Sequence, residues 1–339
     1  MQITTVGLDI AKRVFQVHGV DERGRPVLKR RLSRNKVVEF FANLPRCLVG
    51  LEACGGAHHW ARELAKLGHE VRLMPPQYVK PYVKTNKHDA ADAEAICEAV
   101  QRPGMRFVAV KAENQQALLV LHRIRDRLVA ERTGSISAIR GHAAEFGIAA
   151  AQGARGLREI LDIIADPEDA RLPPLARELL ALQAAHLRDL GERVAELDAR
   201  LGRLARKDAA CRRLTGIPGV GPIVATGVVA SVGDARSFGG GRSFAAWLGL
   251  TPRQRSSGGK ERLLGISKRG DGYLRRQLMH GARSIASLAK GREGGLWSWI
   301  NGLLARRPFN TAVAALANKL ARVIWAVLSR GEAYRAAAA

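Results

Sequence analysis

The chain has 339 residues, 47% of them hydrophobic, so it is long enough for two or three domains with their own cores and is not a disordered basic tail. Its 55 Lys and Arg against 31 Asp and Glu leave a formal charge of +24. That excess favours a polyanionic partner, because each neutralised phosphate releases condensed counterions, whereas solubility alone is served at least as well by acidic residues.

Residues 1–110 alternate strand and helix patterns. Ile3–Asp9 is a short β-branched run, and Val14–Val20 follows a brief turn at Ala11–Lys12. A hairpin turn at Glu22–Pro26 leads to Val27–Leu32. A helix is predicted over Val37–Asn43, and Cys47–Glu52 is an apolar strand ending on a carboxylate. His58–Leu67 fits a helix stopped by Gly68, Glu70–Met74 a further strand and Asp89–Val100 a helix. This order suits a mixed sheet with flanking helices, an α/β domain.

From Ala112 to about Ala144 the pattern is helical and carries Arg123, Arg125, Arg127, Arg132 and Arg140. After Pro173–Pro174 comes a long helix whose Leu190, Val194, Leu197, Leu201 and Leu204 keep the heptad rhythm of a coiled coil. Either oligomerisation or packing on the preceding helix would hide that stripe. Ile217–Pro222 reads as a tight glycine hairpin between helices, and a helix is predicted at Arg242–Gly249. Thr251–Gly272 is basic and glycine-rich and reads as a loop. Two helices, Tyr273–Lys290 and Asn310–Ser329, follow. The reading divides the chain at 1–110, 111–208 and 209–330. Cys47, Cys54, Cys97 and Cys211 form no CxxC pair, which suits reduced thiols of a cytoplasmic protein and argues against zinc. No signal-peptide pattern is present, and Asn318, Lys319 and Arg322 interrupt the apolar run Ala312–Leu328, so no membrane partner is expected.

The carboxylates are the candidate chemistry. Asp9 ends one strand, with Val6 and Leu8 facing the other side, and Glu52 ends another. Asp89 and Asp92, spaced i, i+3 at a helix start, project from one face. Single acids at such places are commonly caps or first-turn charges. Four converging acids would repel strongly, and hard divalent cations relieve that repulsion. Two Mg²⁺ ions on Asp9, Glu52, Asp89 and Asp92 would suit in-line phosphoryl transfer.

The runs Gly7–Lys12, Leu51–Ala53 and Lys87–Ala93 resemble the DEDD transposases of insertion-sequence family one-ten. The resemblance continues in Ile217–Gly221, in Leu250–Arg253 with Ser257–Gly258, and in Lys268–Gly270, so it spans nearly the whole chain in order. It implies an RNase H-like, RuvC-type N-terminal domain and a C-terminal domain carrying a nucleophilic serine. By motif the metal quartet is Asp9, Glu52, Asp89 and Asp92, and the serine is Ser257. His88 departs from the pattern, since Thr is common there. The resemblance further implies transposition by DNA strand exchange between element ends and target. It also implies guidance by a noncoding bridge RNA, and parts of the active site brought together from different domains or subunits of a dimer or tetramer.

Around Ser257, Gly258 and Gly259 let backbone approach a phosphate, and Arg253, Arg255, Lys260 and Arg262 supply positive charge. Lys268 and Arg269 add to this basic stretch, and Arg123 and Arg127 suit a structured RNA. Gly219 and Gly221 belong to a hairpin resembling a helix-hairpin-helix, whose backbone N–H groups would grip a phosphate without reading sequence. Two rival readings stand beside this one: a RuvC-like structure-selective nuclease in which water attacks, and a non-catalytic basic DNA-binding protein.

Overall fold

The computed structural model describes residues 2–84 and 88–335. Lys87, which opens the Lys87–Ala93 motif, lies outside the described residues. The chain divides into two compact units, Met1–Glu113 and Asn114–Ala339.

The first unit is built on β1 (Thr5–Ile10), β2 (Val14–Val20), β3 (Pro26–Ser33), β4 (Leu48–Glu52) and β5 (Glu70–Met74). The spatial order is β3-β2-β1-β4-β5. β1–β2 and β2–β3 are antiparallel and joined by short turns. β1–β4 and β4–β5 are parallel, so helices must carry the chain back between them: α1 (Val37–Ala42) and α2 (Ala57–Lys66). This is the mixed, helix-flanked sheet that the alternating pattern predicts, and it is RuvC-like.

Alternation gives the sheet two different faces. Val6, Leu8, Val17, Val49, Leu51 and Leu73 form one, and Phe41, Trp60 and Leu64 of α1 and α2 close over it as a core. The other face carries Gly7 and Gly50 at directly paired positions. Here lies α4 (Asp89–Val100), which follows the short α3 (Pro76–Val79). A Cβ on Gly7 would stand 2.1 Å from the Ala93 carbonyl oxygen, and one on Gly50 2.8 Å from Val100 Cβ. Helix backbone therefore rests where any side chain would hold it off. Gly7→Ala should cost at least about 1–3 kcal/mol of overpacking, seen as a lower urea midpoint of the full chain, with Gly104→Ala, whose Cβ meets nothing, unchanged.

The second unit is mainly helical: α5 (Glu113–Ala144), α6 (Ala154–Ala165), α7 (Pro174–Lys207), α8 (Ala209–Thr215), α9 (Pro222–Val232), α10 (Gly241–Trp247), α11 (Gly272–Ser287), α12 (Gly295–Leu304) and α13 (Phe309–Arg330). One core joins Leu214, Val228, Phe244, Leu278, Leu320 and Ile324. A separate cluster of Ile139, Ile160, Ile164, Leu180 and Leu187 holds the far end of α5 against α6 and α7. Among the described residues one helix, α13, is long and apolar enough to cross a membrane by length and composition. Its Val313, Leu316, Leu320 and Ile324 are spent on the core.

Two details differ from the sequence reading, and a third settles an alternative it left open. The stretch read as a plain loop contains a hairpin of β6 (Pro252–Gln254) and β7 (Leu263–Ile266), because the short apolar run in β7 finds a partner strand. A third terminal helix, α12, occupies the gap between the two expected ones. The heptad residues Leu190, Val194 and Leu201 are buried within this chain, on a helix that packs along α8 and α9. Leu197 of the stripe is half-buried and Leu204 exposed, and the other exposed leucines of α7 are Leu175, Leu179 and Leu182.

His122 of α5 is 2% exposed and ties that helix to two others. Its Nε2 lies 3.0 Å from Thr226 Oγ1 and its Nδ1 2.8 Å from the Tyr273 hydroxyl. Thr226 donates its own hydroxyl proton to the Pro222 carbonyl at 2.7 Å. Nε2 must then donate to Thr226, and in the neutral imidazole that burial favours Nδ1 accepts from the Tyr273 hydroxyl. Neighbouring Arg125 pairs with Asp198, and Asp126 with Arg276 at 2.5 Å. Burial, reinforced by Arg125, lowers the His122 pKa from 6.5 to about 4. The unfolded chain takes up this proton below pH 6.5 and the native one does not, so the stabilisation is complete above pH 6.5 and is lost as pH falls toward 4. The loss should reach about 3 kcal/mol. Urea denaturation of the full chain between pH 7.5 and 4.5 should show it, and His122→Gln should flatten the slope.

Candidate active site

Asp9 follows Gly7 and Leu8 on β1, so its side chain returns to the face covered by α4. Glu52 ends β4 on that same face, one step beyond the Leu8–Leu51 pairing. Asp89 and Asp92 occupy the first turn of α4. The His88 imidazole caps this helix: its Nδ1 accepts the Ala90 N–H at 3.2 Å. A threonine hydroxyl performs the same service at an N-cap, which explains how the motif accommodates histidine.

Electrostatics show that the four acids share one field. Burial comes first and repulsion from Asp92, Asp89 and Glu52 adds to it, together raising Asp9 from 3.8 to about 6. The one opposing influence is a hydrogen bond from the Ile10 backbone. Glu52 is raised too, by burial and then by Asp92. Cys54 beside them is held above its usual range by partial desolvation of its thiol and by the charges of Glu52 and Asp9. Hard oxygen donors such as Asp9 and Glu52, whose repulsion no basic side chain among the described residues relieves, are a fitting donor set for Mg²⁺. Among the described residues, however, no three His, Cys, Asp or Glu side chains lie close enough to hold one ion as they stand. The acids are a charge-coupled set and not a finished ligand shell.

A metal-free consequence follows from the raised Asp9. The unfolded carboxyl ionises near 3.8 and the native one near 6, so Asp9 favours the folded state at low pH and loses that contribution as pH rises through this window. In EDTA at pH 7.5, Asp9→Asn should therefore melt a few °C above the parent, with the gain vanishing near pH 4. Added Mg²⁺ should raise the melting temperature of the parent and leave the variant nearly unmoved.

Ser257 occupies a defined place on the second unit. It opens the turn Ser257–Lys260 at the tip of the β6–β7 hairpin, with the Lys260 N–H donating to the Ser257 carbonyl at 3.1 Å. Gly258 and Gly259 have φ of 55° and 75°, the positive values that a type I′ turn requires at both central positions. Ser256 is engaged: its Oγ accepts from Gln254 Nε2 at 2.9 Å and from the Arg262 N–H at 3.4 Å. Ser257 Oγ makes no hydrogen bond to a described residue. Arg253, Arg255, Lys260 and Arg262 are exposed and make no ion pair with one either.

The other basic candidates divide between free and structural roles. Arg123 is exposed, and Arg127 is exposed but paired with Glu131 at 2.8 Å. Arg125 and Arg140 are structural, the second donating to the Ala150 and Gly153 carbonyls. Lys268 has φ of 56°, uncommon for a residue with a side chain, and donates its N–H to the Gly249 carbonyl at 3.0 Å. Arg269 follows it on the surface. Gly219 has φ of 82°, and a Cβ there would stand 2.9 Å from the Gly281 carbonyl oxygen of α11. Close helix packing thus accounts for this glycine, while Gly221, the N-cap of α9, stays exposed. Trp325 donates Nε1 to the Ala235 carbonyl, and Trp297 and Trp299 pack on the same core.

Sequence reasoning did not single out Gln16, Lys29 and Arg31, which lie on the face of the sheet that carries Asp9. Asp9 pairs with Gln16 and Gln16 with Arg31, while Gly7 pairs with His18 and His18 with Lys29. The alternation within Val27–Leu32 was the available signal, but only the strand register connects it to Asp9.

A RuvC-like sheet with an acidic quartet on α4's face defines a DEDD-type nucleic-acid enzyme, and the comparisons name the class more narrowly. Residues 6–147 match the DEDD transposase model, described as Transposase, and residues 211–293 match the Transposase IS116/IS110/IS902 family. The chain is 52% identical, over 99% of both chains, to the protein named "Probable family 20 transposase" of Pseudomonas aeruginosa. It is 44% identical to the transposase for insertion sequence element IS1111A of Coxiella burnetii, over 99% of this chain and 92% of that one. It is 41% identical to the transposase for insertion sequence element IS1328 of Yersinia enterocolitica, over 98% of both. The chain belongs to the IS110 family of DEDD transposases.

Proposed function

We propose that this transposase cuts and exchanges the DNA strands of its own insertion sequence by way of a covalent phosphoserine link. Asp9, Glu52, Asp89 and Asp92 hold Mg²⁺, two ions in the full site, and Ser257 is the nucleophile. The observation that carries the reading is the coupled quartet, with Asp9 raised to about 6. The unengaged Ser257 hydroxyl among unpaired cations supports it.

Mg²⁺ bound at the quartet would stabilise charge on the phosphate oxygens and on the leaving oxygen. The chain's own groups do the rest. The hairpin tip presents Oγ with little steric cover, since both following residues are glycine. Arg253, Arg255 and Lys260 offset phosphate charge around it. The Oγ–phosphorus bond forms as the bond from phosphorus to the leaving DNA oxygen breaks, and the proton lost by the hydroxyl is balanced by the one the leaving oxygen takes up. One phosphodiester replaces another, so rejoining needs no external energy.

DNA at the element ends and the target is the substrate of this reading. A noncoding RNA from the element guides it, which the family resemblance and the charge of +24 support. Homo-oligomerisation, as a dimer or tetramer, is supported by Leu175, Leu179 and Leu182 of α7, exposed by 67%, 56% and 70%. Four free cysteines suit a cytoplasmic location.

Recombination of a plasmid carrying the element's ends checks these assignments. Asp9→Asn should lower strand cleavage at least about 100-fold, in the range seen when electrostatic stabilisation is removed. Ser257→Ala should abolish the protein–DNA adduct trapped by denaturant while DNA binding persists, and Ser256→Ala should keep the adduct. Hydrolytic cutting by Ser257→Ala at the parental rate would assign attack to water. Sequencing RNA that co-purifies from cells carrying the element's flanking DNA tests the guide, and absence of an element-derived RNA counts against it.

A further inference from the structure

A groove of about 300 Å³ lies on the α4 side of the sheet, beside the acids. Residues 16–18 and 29–31 line it from β2 and β3, and Ala90, Ala91 and Glu94 from α4. Strand alternation turns the side chains of Val17 and Arg30 to the opposite face, so those of Gln16, His18, Lys29 and Arg31 face the groove. Its position follows from strand register. The row Asp9–Gln16–Arg31 crosses three neighbouring strands, and directly paired residues point to the same face. Two strand spacings put Arg31 about 10 Å from Asp9. Since β3 is the edge strand, the groove opens at the side of the sheet and does not end in a wall.

The chemistry of its lining is selective. Among the described residues Glu94 is its one carboxylate, and it is met by Lys29 at 3.9 Å and by Lys84 at 3.4 Å, a lysine shared with Glu98 at 3.2 Å. His18 is 4% exposed, and burial is the chief cause lowering its pKa, with Glu94 at 4.0 Å opposing. Arg31 is exposed and makes no ion pair with a described residue, and the Gln16 amide makes no side-chain hydrogen bond to one. The small side chains of Ala90 and Ala91 leave the helix wall low. The adjacent Arg30 points the other way, its guanidinium lying 5.4 Å from the centre of the Phe40 ring.

We infer that this groove carries the backbone of the DNA strand being cut, with Arg31 gripping a phosphate next to the scissile one and Gln16 spanning the interval to Asp9. The inference rests on the acids being the cleavage centre. It adds a substrate track, and with it a direction in which the strand leaves the acids across β2 and β3. A free arginine fork meets a phosphate with two parallel hydrogen bonds, and a neutral amide beside the acids donates without adding a charge that would compete with a metal. Cations on an edge strand also discourage edge-to-edge association, a role that Arg30 and Arg31 would share equally. Of these two, only Arg31 turns its side chain to the groove.

The test compares those two neighbours in the full-length transposase bound to labelled DNA carrying the element's end, in EDTA so that nothing is cut. Arg31→Ala should lower affinity severalfold and reduce the slope of log affinity against log salt by about 1. Arg31→Lys should restore most of the slope, and Arg30→Ala should leave it unchanged. A benzophenone side chain at position 31 should crosslink to the DNA within a few nucleotides of the cleaved bond, and one at position 30 should not. Equal effects at 30 and 31, no DNA crosslink from 31, or a crosslink from 31 only to co-purified RNA would each overturn the inference. Because binding without metal is the readout, these results stand apart from Asp9→Asn. If that variant still cuts DNA, the acid-centre reading fails whatever Arg31 does.

Discussion

The contact of α4 with the glycine pair of the sheet is the constraint on which the acidic site depends. Gly7 and Gly50 sit side by side on β1 and β4, and the helix backbone comes down where side chains would otherwise stand. That close approach brings the first turn of α4, with Asp89 and Asp92, over the ends of the strands that carry Asp9 and Glu52. The apolar face beneath α1 and α2 supplies the burial that stabilises the sheet, and so the acids need contribute nothing to it. Without a cation, burial and then the repulsion of the other acids raise the Asp9 pKa to about 6.

A site of this kind trades stability for function. Acids placed together cost the metal-free fold something, and the cost falls away when a dication binds. The second unit shows the reverse economy. His122, Thr226 and Tyr273 satisfy one another completely, and Arg125 with Asp198 and Arg276 with Asp126 pin α5 to its neighbours. The rigid part of that unit is thus defined by satisfied polar groups. The β6–β7 tip is defined by unsatisfied ones: an unengaged serine hydroxyl and cations without counterions. Groups left unpaired on an exposed turn remain available to a polyanion.

Taken as one enzyme, the chain places hard acids on one compact unit and a serine with basic surroundings on another. Phosphoryl transfer needs both kinds of environment, and they conflict if built from one patch, since acids and arginines would neutralise each other. Keeping them on separate scaffolds lets each retain its charge until nucleic acid is present. The groove through Gln16 and Arg31 fits this division, because its one carboxylate among the described residues is met by lysines.

Much of this was legible in the sequence. Alternating β-branched residues and their turns indicate the five strands. The i, i+3 spacing of Asp89 and Asp92 puts them on one helix face, and the ordered motifs identify the family. Those signals are local, or are patterns of residue type along the chain, and need no knowledge of what lies across from what. The tertiary structure decided everything that depends on pairing. The Leu190–Leu201 stripe had the rhythm of a coiled coil, yet α7 buries it in its own unit, since periodicity shows that a face needs cover and not what covers it. The stretch Thr251–Gly272 read as a loop because β6 and β7 are too short to show a pattern, and only their mutual hydrogen bonds make them strands. Gly7 and Gly50 looked like ordinary strand residues until α4 was seen resting on them. Arg30 and Arg31 are indistinguishable as text, and the register of β2 against β3 alone turns one toward the Phe40 ring and the other toward the acids.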